Sequence, residues 1–181
     1  MFIKIFKDRT DAGQFLAGKL GEFAHRRNVI VLGLPRGGVP VAYEVSRTLT
    51  APLDILVVRK LGVPGHQELA MGAIASGGVR VLNREVLSHL EIPEDIIDLV
   101  IESEQRELKR RERQYRENRP PLDLRGRTVI LVDDGLATGS SMRAAVQAVR
   151  RKHPQQIVVA VPVGARETCE SFSKEVDTLA V

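Results

Sequence analysis

Residues 129–143, Val-Ile-Leu-Val-Asp-Asp-Gly-Leu-Ala-Thr-Gly-Ser-Ser-Met-Arg, leave little freedom in how this chain folds. The apolar run from Val129 to Val132 has the composition of a buried parallel strand. It stops at two carboxylates, Asp133 and Asp134. A turn of small residues follows, Ala137, Thr138, Gly139, Ser140 and Ser141, and a helix-forming stretch runs from Met142 to Arg151. In an open α/β sheet the carboxyl ends of the strands face the ligand crevice. A Thr-Gly-Ser-Ser turn at a helix start offers free backbone N–H groups, hydroxyls and the positive end of the helix dipole, a set suited to phosphate. Adjacent carboxylates accept hydrogen bonds from vicinal hydroxyls. A ribose 5-phosphate satisfies both halves.

The rest of the chain alternates strands and helices. Residues 10–26 predict an amphipathic helix, with Phe15, Leu16, Leu20 and Phe23 at helical spacing. Val29–Leu34 and Leu53–Val58 read as strands flanking a helix over Val39–Leu49. Leu69–Ala75 and Val79–Leu82, divided by Ser-Gly-Gly, predict a hairpin. Pro93 opens a long charged helix over about 93–118, which Pro120 and Pro121 end. After the strand–turn–helix segment come a strand at Ile157–Val161, a short helix from Ala165 and a last strand near 176–181. This order argues for a parallel sheet with helices on both faces.

Two further strand ends carry chemistry. Leu34-Pro35-Arg36-Gly37-Gly38 joins a buried strand to a helix. Its glycines allow close backbone approach to a ligand, and the Arg36 guanidinium suits phosphate oxygens. At Arg59 and Lys60 a strand delivers two cations to the crevice edge, followed by a Gly- and Pro-rich stretch.

Together these motifs resemble the type I phosphoribosyltransferase family. Four apolar residues, two acids, two variable residues and a small-Thr-Gly turn form its 5-phosphoribosyl 1-diphosphate (PRPP) motif, here closest to the adenine phosphoribosyltransferase version. The resemblance implies a single domain over residues 1–181, an α/β parallel-sheet core with helices on both faces and a small variable hood. It also implies a flexible loop over about 60–80. The 5-phosphate would lie on Ala137, Thr138, Gly139, Ser140 and Ser141, and the ribose hydroxyls on Asp133 and Asp134. The diphosphate would lie on Arg36, Gly37 and Gly38, in a loop that in this family often contains a strained or cis peptide, with Arg59 and Lys60 at its side. Mg²⁺ is implied as a cofactor held mainly through PRPP, and no metal-ligand set of the protein's own is expected. The implied activity is transfer of the phosphoribosyl group to a nitrogenous base with release of diphosphate. The alternative is a PRPP-binding sensor or regulator without turnover. Hypoxanthine and guanine enzymes carry an acid where Ala137 stands, which weighs against a 6-oxopurine acceptor. Loops closing over PRPP in this family often lean on a neighbouring subunit, so a homodimer is implied.

Composition narrows the alternatives. A chain of 181 residues with 43% apolar residues can bury a substantial core. No apolar stretch approaches the roughly 20 residues of a membrane span, and the first ten residues lack a signal-peptide pattern. Cys169 is the lone cysteine, which excludes an intrachain disulfide, so a cytoplasmic location is expected. Arg166 one turn away is placed to lower the Cys169 pKa slightly, but with no histidine nearby in sequence Cys169 reads as a packing residue. The net charge of +4 suits an anionic small molecule better than nucleic acid. Charged residues three and four apart make the long helix a solvated face, while Ile96, Ile97, Val100 and Ile101 dock its first half on the body or a second subunit. His66 and Glu68 have no assigned role. The last apolar strand stops at Val181, so either the protein ends compactly or a C-terminal piece follows.

Overall fold

The computed structural model describes residues 5–117 and 119–181, with the side chains of Gln67 and Glu68 also outside the described set. In chain order the elements are α1 (Arg9–Lys19), a single 3-10 turn (Gly21–Phe23), β1 (Val29–Gly33), α2 (Gly38–Leu49), β2 (Leu53–Ile55), β3 (Val58–Val63), β4 (His66–Ala75) and β5 (Val79–Leu82). There follow α3 (Arg84–His89), α4 (Glu94–Arg116), β6 (Thr128–Val132), α5 (Ser140–Arg150), β7 (Gln156–Ala160), α6 (Arg166–Phe172) and β8 (Thr178–Ala180).

Five strands form a parallel sheet in the order β2-β1-β6-β7-β8. Every residue of β1 and β6 is buried, as a strand covered on both faces requires. Alternation along β1 and β6 sends Ile30, Leu32, Val129 and Leu131 into a core shared with α5 and Phe172. Val29, Val31, Ile130 and Val132 face the opposite core, built with α1 and α2. Gly33 pairs with Val132, and Val132 with Ala160, so β1, β6 and β7 end level. After β1 the chain turns back towards β2, whereas after β6 it turns towards β7. The crevice beyond the ends of β1 and β6 is therefore a topological switch point, the place where open α/β sheets bind ligands.

Three expectations require correction. The strand expected over Leu53–Val58 is two elements: β2 ends at Ile55, and β3 leaves for a second sheet. The stretch read as a flexible loop over about 60–80 is mostly paired, because β3, β4 and β5 form an antiparallel sheet with a turn at Pro64 and Gly65. The reason is a third core, in which Leu61, Val63, Met71 and Ile74 are buried against Ile97, Ile101 and Leu108 of α4. Glycine and proline obscure the alternation in the sequence. The expected hairpin between Leu69–Ala75 and Val79–Leu82 is present as β4 and β5. The apolar stripe of α4 docks on the body through Ile97 and Ile101. The helix expected over 10–26 stops at Lys19 and continues as the 3-10 turn, and α3 has no counterpart in the sequence reading.

Candidate functional site

The turn after β6 forms a small cradle of backbone N–H groups and hydroxyls at the start of α5. Gly139 precedes α5 with φ of 74°, and no side chain caps the helix, so the N–H groups of Ser140, Ser141 and Met142 lack partners within it. The backbone is held from behind. Thr168 Oγ1 donates to the Ala137 carbonyl at 2.7 Å, and Arg143 Nη1 donates to the Thr138 carbonyl at 3.1 Å. Arg143 is itself fixed by Glu175 at 3.0 Å and Ser171 at 3.0 Å, with its guanidinium 4.8 Å from the Phe172 ring centroid. A methyl group on Gly139 would stand 2.5 Å from Phe172 Cε2, so glycine is required both by its φ and by the ring beneath. Leu136 is tied to the loop after β7, donating to Val163 O and accepting from Ala165 N, both at 2.9 Å. A cavity of about 160 Å³ lies over residues 133–142, and Asp133, Thr138 and the serines are among its walls.

The neighbouring loop, after β1, contains a cis peptide between Pro35 and Arg36. Gly38 opens α2 directly against β6: a Cβ there would lie 2.6 Å from Val132 O and 2.8 Å from Asp133 Cα. A Cβ on Gly37 would collide with the Asp134 carboxylate. Both glycines thus let the two loops touch, a packing reason for the pair in addition to the ligand approach inferred from sequence. Arg36 is exposed and forms no ion pair among the described residues.

The two acids differ. Asp134 is held by Arg9, whose Nε and Nη2 donate to its Oδ2 at 3.0 and 2.7 Å. Asp133 points into the crevice without a cation, its Oδ1 accepting the Asp134 N–H at 2.8 Å. Burial, and then the charge of Asp134, push the Asp133 carboxyl up to about 6, against the lowering effect of that N–H. The unfolded chain releases this proton near its ordinary value of 3.8, and the folded chain only near 6. Between these values the folded state binds more protons, so the contribution of Asp133 to stability falls as pH rises and is fully lost above about 6. Expected, therefore, is a Tm advantage of Asp133→Asn over the unmodified chain that grows from about pH 4 to about pH 7. A difference that stays flat in thermal melts across that range would refute it.

Arg59 and Lys60 reach the crevice from β3, but each has a partner. Arg59 Nε donates to Glu104 of α4 at 2.7 Å. Lys60 Nζ donates to Ser140 Oγ at 2.9 Å, which puts it beside the cradle and not only beside the loop after β1. Together with Pro35, Arg111, Asp133 and Ser141 they line a cavity of about 340 Å³. Arg36 is not among its walls. His66 is exposed on β4, and the Glu68 side chain lies outside the described residues. Cys169 is the packing residue expected, but the slight lowering of its pKa by Arg166 is overturned. Arg166 is paired with Glu170 at 2.8 Å, and burial raises the thiol, which packs against the core below the cradle.

A family model for the phosphoribosyl transferase domain matches residues 65–179, well over half of the chain. The chain belongs to the phosphoribosyltransferase family. A Mycobacterium tuberculosis protein provisionally named a phosphoribosyl transferase is 46% identical over 175 residues, which are 97% of this chain and 39% of that protein. The chain thus spans about two fifths of the length of this relative. The "Bifunctional protein PyrR" of Deinococcus radiodurans is 30% identical over 141 residues, covering 74% of this chain and 75% of its own. The crystal structure of TT1426 from Thermus thermophilus superposes with a TM-score of 0.86 at 41% identity, covering 98% of this chain and 84% of that one.

For this phosphoribosyltransferase-family fold, three residues beside the crevice escape a reading of the sequence. Arg9 lies 125 positions from Asp134. Its only local signal is its place at the start of a helix. Arg143 follows the Ser-Ser-Met run directly and looks like an ordinary helix cation. Arg111 sits within a charged run that reads as a solvated face.

Proposed function

We propose that the chain transfers the phosphoribosyl group of PRPP to a nitrogenous base and releases diphosphate. The observation that carries this reading is the contact between the loops that end β1 and β6. The cradle, the acid pair and the glycine loop thereby share one crevice at the switch point of the sheet. The 5-phosphate would take the free N–H groups and hydroxyls of 137–141, with Lys60 joining from β3. Asp133 and Asp134 would accept the ribose hydroxyls. The diphosphate would lie against Arg36, Gly37 and Gly38, taking the N–H groups of Arg36 and Gly37 (the Gly38 N–H donates to Leu34 O at 3.0 Å), and the Arg59 guanidinium.

Among the described residues no group of three or more His, Cys, Asp or Glu side chains could hold a metal ion. Two carboxylates beside a polyphosphate site instead fit Mg²⁺, which prefers substrate oxygens and water to an all-protein cage. Bound with PRPP, the ion would neutralise charge on the diphosphate. The side chains do the rest. As the bond from C1 to the diphosphate oxygen lengthens, its electron pair leaves with the diphosphate and positive charge spreads over the ribose ring. The carboxylates stabilise that charge. A lone pair on the base nitrogen then forms the new bond to C1, and any proton on that nitrogen passes to solvent or to the base's surroundings. Among the described residues no helix is long and apolar enough to cross a membrane, and our reading of the small-molecule chemistry fits a cytoplasmic protein.

Calorimetric titration with PRPP and Mg²⁺, followed by diphosphate release with a panel of bases, tests the proposal. Binding followed by release with one base supports transfer. Binding with no release on any base turns the reading to a PRPP-responsive regulator. Absence of PRPP binding sinks both.

A further inference from the structure

Much of α4 is the solvated charged face that its sequence suggests: Arg106 pairs with Glu102 at side chains mostly open to water, and Arg110, itself mostly exposed, pairs with Glu107. Arg111 departs from that pattern. Its side chain is 36% exposed against 64% for Arg110, and it lines the cavity that also meets Arg59, Lys60 and Asp133. Helix geometry explains why. Glu104, Leu108 and Arg111 follow at i, i+4 and i+7, so they share one face. Leu108 is buried in the core between α4 and the antiparallel sheet, and Glu104 grips Arg59 on β3. The helix is therefore docked through the same face from which Arg111 enters the cavity.

We propose that Arg111 is a diphosphate ligand, a third cation of the crevice supplied by the long helix; this rests on the phosphoribosyl-transfer reading above. Among the described residues three cationic side chains line the cavity, opposed there by one carboxylate, Asp133. This excess suits a polyanion. Arg111 is also free to exchange partners. Its Nε donates to Glu107 Oε1 at 2.7 Å, but Glu107 takes two hydrogen bonds from Arg110 as well, at 2.7 and 2.9 Å. When the guanidinium turns to a phosphate, Glu107 keeps Arg110. The pair that is given up leaves Glu107 still satisfied, while a fork of two N–H donors on a phosphate is a strong, directional contact.

Calorimetry on the full chain with Mg²⁺ separates the possibilities. Arg111→Ala is expected to weaken PRPP binding at least tenfold and to leave ribose 5-phosphate, which lacks the diphosphate, within twofold of the unmodified chain. Arg110→Ala removes the same charge from the same glutamate outside the cavity and is expected to change neither. Arg111→Lys, which keeps the charge but loses the fork, is expected to fall between and guards against a local disturbance of α4 by alanine. PRPP affinity unaltered by Arg111→Ala, an equal loss with ribose 5-phosphate, or an equal loss in Arg110→Ala would each overturn the assignment. An unmodified chain that binds ribose 5-phosphate but not PRPP overturns it too. One that binds neither overturns the transfer reading with it.

Discussion

Replacing both acids at the end of β6, Asp133→Asn with Asp134→Asn, is expected to lower PRPP affinity at least about a hundredfold while the fold survives. Each carboxylate that accepts a hydrogen bond contributes roughly 1.5–3 kcal/mol, and every 1.4 kcal/mol is about tenfold in affinity. Two such losses reach roughly a hundredfold even at the low end. The stability change runs the other way. The amide that Asp133→Asn introduces keeps an oxygen for the backbone N–H that follows it but removes a buried charge, so above about pH 6 the chain gains stability at this position. The Arg9–Asp134 pair is partly exposed and costs little to lose, about 0–1 kcal/mol. A variant that melts no lower than the unmodified chain at about pH 8, yet fails to bind PRPP in calorimetry, identifies residues kept for binding at a cost in stability. Unchanged affinity would remove the ground for any PRPP-dependent function.

The largest loss of stability is expected from Phe172→Ala. Phe172 is fully buried at the end of α6, packed in the core that β1, β6 and α5 share. Truncating such a ring costs roughly 3–5 kcal/mol, the transfer of its surface plus the cavity left behind. In a chain of this size that is a fall in Tm of about 6–20 °C, since each kcal/mol moves the midpoint by about 2–4 °C. The loss reaches the site as well. The ring lies under Gly139 and beneath the Arg143 guanidinium, which holds the Thr138 carbonyl. Ribose 5-phosphate affinity of the still-folded variant should therefore fall at low temperature. A thermal melt within about 2 °C of the unmodified chain would show that the ring is not the support of the cradle.

What the chain declares in sequence is what neighbours close along the chain decide. A run of Val, Ile and Leu ending in two acids and a small-residue turn allows few structures besides strand, loop and helix, so the cradle, the acid pair and the parallel sheet were legible. Local order also announced the β4–β5 hairpin and the docked stripe of α4. Tertiary structure decided the rest. The break of 53–58 into strands of two sheets follows from a core that Leu61 and Met71 complete only with Ile97 and Leu108. The partners of the site's charges are equally remote: Arg9 is 125 positions from Asp134, Lys60 80 from Ser140, and Arg59 45 from Glu104. A salt bridge leaves no periodicity in the chain, because the long side chains that make it choose among whatever the packed backbone brings within reach. For the same reason Arg110 and Arg111 are adjacent and chemically identical in sequence, and only the docking of α4 turns one to solvent and the other into the crevice.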